Sequence, residues 1–252
     1  SPWAVVRSFC GLAQTTEFYR SILHTLLRVA AGFAAGMAAG LLAGTLTAFS
    51  RVADVLLTPL KNIIKATPVT SFIVLILLYF SSNVTPSAVA FLAVLPICWS
   101  NVCEGLRQTD KKMTELAHAY AFGRKKTLRE IYFPAVRPYL SAAATTGLGF
   151  AWKSCVAAEV IALSKNSVGR ALYESKLYLE TAELFAWTAS VVLISVLFEK
   201  LLVHKLFKNK NTEGAAGRRS ESLEHGHASC EVELQYKSDA YAEYGRDEER
   251  NI

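Results

Sequence analysis

Long uncharged apolar stretches alternate with short polar or basic segments along most of this chain. The first stretch runs from about Ile22 to Phe49, and no charged side chain falls between Val29 and Ser50. The next uncharged stretch runs from Ala66 to Cys103. A membrane crossing takes about 20 residues, so this one is too long for a single helix. Ser81, Ser82, Asn83, Thr85 and Pro86 interrupt it, which predicts two helices joined by a tight turn. A fourth apolar helix is predicted over Pro138 to Leu163, and a fifth over Leu184 to Leu206. Glu199 and Lys200 lie close enough to the end of the fifth to snorkel. The expected fold is all-α: a polytopic transmembrane helical bundle over residues 1–207, with five spans visible. Residues 208–252 mix charge with Gly and Ser and predict a disordered polar tail.

Charge sets the orientation. The segment Arg107–Arg137 carries Arg107, Lys111, Lys112, Arg124, Lys125, Lys126, Arg129 and Arg137, and the positive-inside rule makes it cytoplasmic. Alternation puts the Ser81–Ser87 turn and Ser164–Glu183 outside, and Ser50–Lys65 and the tail inside. Residues 1–20 then fall outside, which leads us to expect a preceding helix and six spans in the full-length chain. Charged residues make up 19% of the sequence against about 25% in a soluble domain. The net charge of +6 does not point to nucleic acid, because the basic residues sit in short clusters between apolar runs.

Several chemistries find no support. The five cysteines show neither CxxC nor metal-like spacing, and His225 and His227 stand isolated in the tail. No HExxH, GxSxG or acid pair lies in the spans, so no catalytic residue and no metal ligand is assigned. No GxxxxGK[ST] phosphate loop is present either, so this chain cannot itself hold and hydrolyse ATP in that way.

Gly32, Gly36, Gly40 and Gly44 recur every four residues on the first span. That spacing stacks them on one face, where lipid-embedded helices approach most closely. An internal packing seam is expected, with a contact between subunits as the alternative.

The cytoplasmic segment has its own pattern. Met113, Leu116, Ala117 and Tyr120 mark one apolar helical face, and Leu128, Ile131, Tyr132 and Ala135 mark another. Gly123 lies between them as the expected corner, and Pro134 is expected to stop the second helix. Two short amphipathic helices would make a knob that docks into a partner's groove.

This loop resembles the EAA loop of binding-protein-dependent ABC importer permeases. Glu115, Leu116 and Ala117 occupy the EAA positions, and Ile131, Phe133 and Pro134 match its I-x-L-P end. Ala121 stands where that family usually has glycine, and Phe133 replaces leucine. Thr25–Phe33, Ala66-Thr67-Pro68, Ala151-Trp152 and Ala158-Glu159 extend the resemblance to the nitrate/sulfonate/taurine-type permeases over about residues 1–207. The resemblance implies a type I permease fold in a bacterial inner membrane. It also implies a second permease subunit, identical or related, and an extracytoplasmic substrate-binding protein. A separate ABC ATPase would dock on Glu115–Pro134 and bind ATP and magnesium. The implied cargo is a small anion such as nitrate, a sulfonate or taurine, or bicarbonate, with a thiamine-precursor-like molecule as the alternative. An ATP-independent secondary transporter or channel also accounts for the spans, though not for the knob.

Lys153 and Glu159 fall inside the fourth span, where a charge costs roughly 2.5–3.5 kcal/mol and calls for a partner or a water-filled path. Six residues apart, they point in different directions and do not pair. Lys153 is a candidate contact for an anionic substrate or a structural partner of a neighbouring helix, and Glu159 a structural or gating group. Arg28 and His24 are expected to reach the outer interface.

Overall fold

Helix formation follows the apolar pattern through residues 2–207, the part of the chain described by this computed structural model. In order, the helices are α1 (Pro2–Leu12), α2 (Thr16–Phe49), α3 (Arg51–Ala66), α4 (Val69–Tyr79) and α5 (Thr85–Arg107). There follow α6 (Lys111–Ala119), α7 (Arg124–Thr127), a π-helical turn (Leu128–Tyr132), α8 (Phe133–Ala162), α9 (Val168–Leu177) and α10 (Thr181–Phe207). No strand occurs among the described residues. The expected tail, with His225 and His227, lies outside them.

The expected spans correspond to α2, α4, α5, α8 and α10. By length and composition alone, α2 and α5 qualify as crossings, and α3 with α4 would form a third, bent by 104° at the break. At 1.5 Å per residue, the 30 residues of α8 reach about 45 Å.

Glycine decides how the two main spans meet. α2 and α5 run in the same direction, and Gly32, Gly36, Gly40 and Gly44 are all buried. They step along α5 opposite Ala90, Val94, Cys98 and Val102, also four residues apart. An added Cβ would lie 2.8 Å from the Val94 Cβ at Gly36 and 2.6 Å from the Cys98 Cβ at Gly40. The stripe is thus an internal seam that lets two backbones approach. Beside it, Trp99 Nε1 donates to Thr47 Oγ1 at 3.0 Å.

On its other side α5 packs against α8. Val29, Ala90, Val94, Ala151, Trp152, Cys155 and Val156 form the largest apolar core, where α2, α5 and α8 come together. A second cluster, Cys98, Val102, Val136 and Ala143, continues it towards the knob.

The Ser50–Lys65 segment, assigned only a side from the sequence, folds as α3, which Ser50 caps by accepting from the Ala53 N–H at 3.3 Å. One expectation is corrected: Pro134 does not stop a helix but sits in the first turn of α8, where a missing N–H costs little. The π-helical turn ahead of it, closed by the Phe133 N–H on the Leu128 carbonyl, absorbs the change in register. The second amphipathic helix therefore runs without a break into the fourth span.

Candidate functional site

The knob between α5 and α8 is built from α6, α7 and the π-helical turn. Asp110 opens it, its carboxylate accepting from the Lys112 N–H at 2.9 Å. On α6 the predicted apolar face divides. Ala117 turns inward and is buried, facing a small cavity of about 60 Å³ lined also by Thr114, Phe122, Thr127 and Tyr132. Met113, Leu116 and Tyr120 point away from the bundle, with Leu116 54% and Tyr120 70% exposed. Glu115 is exposed beside them.

The corner of the knob lies at Ala121, not at Gly123. The Phe122 N–H closes back on the Ala117 carbonyl at 2.9 Å, and Ala121 takes φ 52°. That is a Schellman closure, whose left-handed position suits glycine. Ala121 is thus held in a conformation that ordinarily selects glycine. Gly123 instead has an ordinary φ and starts α7, its carbonyl accepting from the N–H groups of Lys126 and Thr127 at 2.9 and 3.1 Å. A left-handed L-residue costs roughly 1–2 kcal/mol. Ala121→Gly should therefore slow amide exchange across α6 about tenfold, while Gly123→Ala, with nothing within 4 Å of the added carbon, should leave it nearly unchanged. Hydrogen–deuterium exchange resolved by peptide checks both.

Both ends of the knob are tied to the α2–α3 corner. Arg107 Nη2 meets Asp54 Oδ2 at 2.6 Å, and the Tyr132 ring meets Phe49 edge-on at 5.3 Å. Ile131 is half-buried, and Phe133 and Pro134 are exposed at the entry to α8.

The intramembrane charges separate. Glu159 is fully buried, and its partner is Arg28, whose Nη1 lies 2.9 Å from Glu159 Oε1. Thr25 Oγ1 lies 2.9 and 3.0 Å from the two carboxylate oxygens, and the Gly169 N–H donates to Oε2 at 3.2 Å. Arg28 also donates to the Lys165 carbonyl at 2.9 Å. Its guanidinium also lies 3.4 Å from Asn83 Oδ1, so Arg28 ties α2 to α8 and to the Ser81–Ser87 and Ser164–Glu183 segments. Thr25, Arg28 and Gly169 were missed as a set. One signal was available: a four-residue step back from Gly32 lands on Arg28 and keeps it on the packed side of α2. Lys153 lies apart, exposed on α8 beside buried Trp152 and Ser154, and does not pair with Glu159. Among the described residues, no group of three or more His, Cys, Asp or Glu side chains could hold a metal ion.

Comparison with known proteins places this geometry. Residues 36–204 match the model of the family described as "Binding-protein-dependent transport system inner membrane component". The chain belongs to that family. It is therefore an inner-membrane ABC permease subunit, and the matched range includes the whole knob, Lys153, Glu159 and three of the seam glycines. The permease is 26% identical over 217 residues to a putative aliphatic sulfonates transport permease protein of Bacillus subtilis, covering 84% of this chain and 78% of the relative. It is 30% identical over 211 residues to a riboflavin transport system permease protein of Chloroflexus aurantiacus, covering 81% and 78%. Its fold is similar to that of a solved amino acid ABC transporter, with a TM-score of 0.63 at 16% identity over 77% of this chain and 93% of that one.

Proposed function

We propose that this permease passes a small anion, a sulfonate before others, from an extracytoplasmic binding protein to the cytoplasm, driven by a separate ATPase docked on α6 and α7. The observation that carries the reading is the knob: Met113, Leu116 and Tyr120 form an apolar face directed away from the bundle in a basic cytoplasmic segment. An amphipathic helix presented in this way fits a hydrophobic cleft on a partner. A second permease subunit would complete the pathway, residues 1–207 would form the transport domain, and ATP and magnesium would belong to the ATPase. Lys153 supports the anionic cargo, since a lysine held on the outward face of a membrane helix calls for a polar path or an anion. The sulfonate relative points the same way, and the riboflavin relative supplies the competing cargo.

Co-purification of the full-length tagged protein from its native membrane tests the coupling. An ATPase subunit should accompany the intact protein and be lost from Leu116→Glu. A folded, abundant intact protein without any ATPase would overturn the reading in favour of an ATP-independent carrier. In reconstituted vesicles, Lys153→Ala should raise the KM for sulfonate uptake about tenfold, the loss of one charge-assisted contact, while Lys153→Arg retains most uptake. Riboflavin uptake with no sulfonate uptake would reject the anion.

A further inference from the structure

Helix α3 turns its polar side inward. At 100° per residue, Val52, Val55, Leu56, Leu60 and Ile63 fall within an arc of roughly 140°, and all five are between 49% and 70% exposed. The opposite face carries Asp54, Thr58, Lys61 and Lys65. This polar face lies against α5. Asp54 holds Arg107, Lys65 Nζ donates to Ser100 Oγ at 2.8 Å, and Lys61 Nζ stands 5.7 Å from the centroid of the Trp99 ring. A helix on a water-exposed surface would show the reverse arrangement.

Depth supports the same conclusion. Ser100 lies about two turns of α5, roughly 10 Å, inward from Arg107 at the cytoplasmic end. α5 is a membrane-crossing helix by length and composition, so the contact with Ser100 carries the end of α3 below the cytoplasmic surface. The outward stripe also continues into outward-facing Leu42, Leu46 and Phe49 at the same end of α2.

We propose that the apolar face of α3 is a lipid-docking surface, seated against the acyl chains of the cytoplasmic leaflet while its polar face is held by α5. Residues 51–66 are then membrane-embedded rather than part of a cytoplasmic loop. Through Asp54 and Arg107, the lipid-seated helix also anchors the root of the knob.

Spin-label accessibility in the full-length protein, reconstituted in lipid nanodiscs, tests this. Cys10 and Cys230 would be replaced by serine, while Cys98, Cys103 and Cys155 are buried. Labels at Leu56→Cys and Ile63→Cys should collide several-fold more with lipid-soluble oxygen than with a water-soluble nickel chelate. They should match a label at Leu42→Cys and reverse the ratio seen at Lys125→Cys on the knob. Val55→Cys on the same stripe replaces either variant that fails to fold. Higher nickel access at the stripe would overturn the proposal in favour of a watery loop. Low access to both reagents would overturn it in favour of a second protein copy.

Discussion

Gly36→Leu should cost the bundle about 3 kcal/mol or more, a large part of a stability that is typically roughly 5–15 kcal/mol. The added Cβ alone would stand 2.8 Å from the Val94 Cβ and 2.9 Å from the Phe91 carbonyl oxygen. A side chain can rotate away, but a backbone carbonyl in a neighbouring helix cannot, so α2 and α5 would have to separate. Separation would loosen every step of the seam, because Gly32, Gly40 and Gly44 make the same kind of approach. Gly11→Leu is the control, since nothing lies within 4 Å of an added carbon there. Thermal unfolding in detergent and the monodisperse fraction on size exclusion should both collapse for Gly36→Leu and hold for Gly11→Leu. Equal behaviour of the two variants would mean that the seam is not close-packed.

Removing Arg28 should destabilise the outer end of the bundle by about 3–5 kcal/mol, the usual consequence of leaving a buried charge without its partner. Glu159 has no exposed surface, and its other contacts, Thr25 and the Gly169 N–H, do not neutralise it. The same side chain holds the Lys165 carbonyl, so Arg28→Ala should also free the turn before α9. Glu159→Gln keeps the shape and hydrogen-bonding capacity of the carboxylate but leaves Arg28 unbalanced, and it should fall in the same range. Arg28→Met with Glu159→Leu should recover part of the loss, because neither charge then remains buried. The recovery is incomplete, since the Gly169 N–H still loses its acceptor. Unfolding midpoints of the two singles and the double decide the matter; a double variant as unstable as the sum of the singles would mean the two residues do not act as a pair.

The contrast between these sites shows what was legible in the sequence. The four-residue glycine repeat is a local pattern, and a helix of known pitch turns it directly into a face. That face could be predicted, and so could the helices, because burial in lipid demands long uncharged runs. The apolar residues of the knob were legible for the same reason. The corner at Ala121 was not, since alanine carries no preference for a left-handed turn and nearby Gly123 drew the assignment. The run of α7 into α8 was hidden by Pro134, whose effect depends on whether it falls in the first turn or the interior of a helix.

The sequence by itself determined an all-helical membrane protein, the faces its helices present and the knob between α5 and α8. It did so because helical pitch and the exclusion of charge from lipid act over short stretches of chain. Only the tertiary structure decided that Arg28 belongs to Glu159, 131 residues away, and that the glycine seam closes on α5. It alone decided that α3 keeps its polar side towards the protein. Those outcomes depend on which surfaces meet once the helices are packed, and no local periodicity encodes the partner of a face.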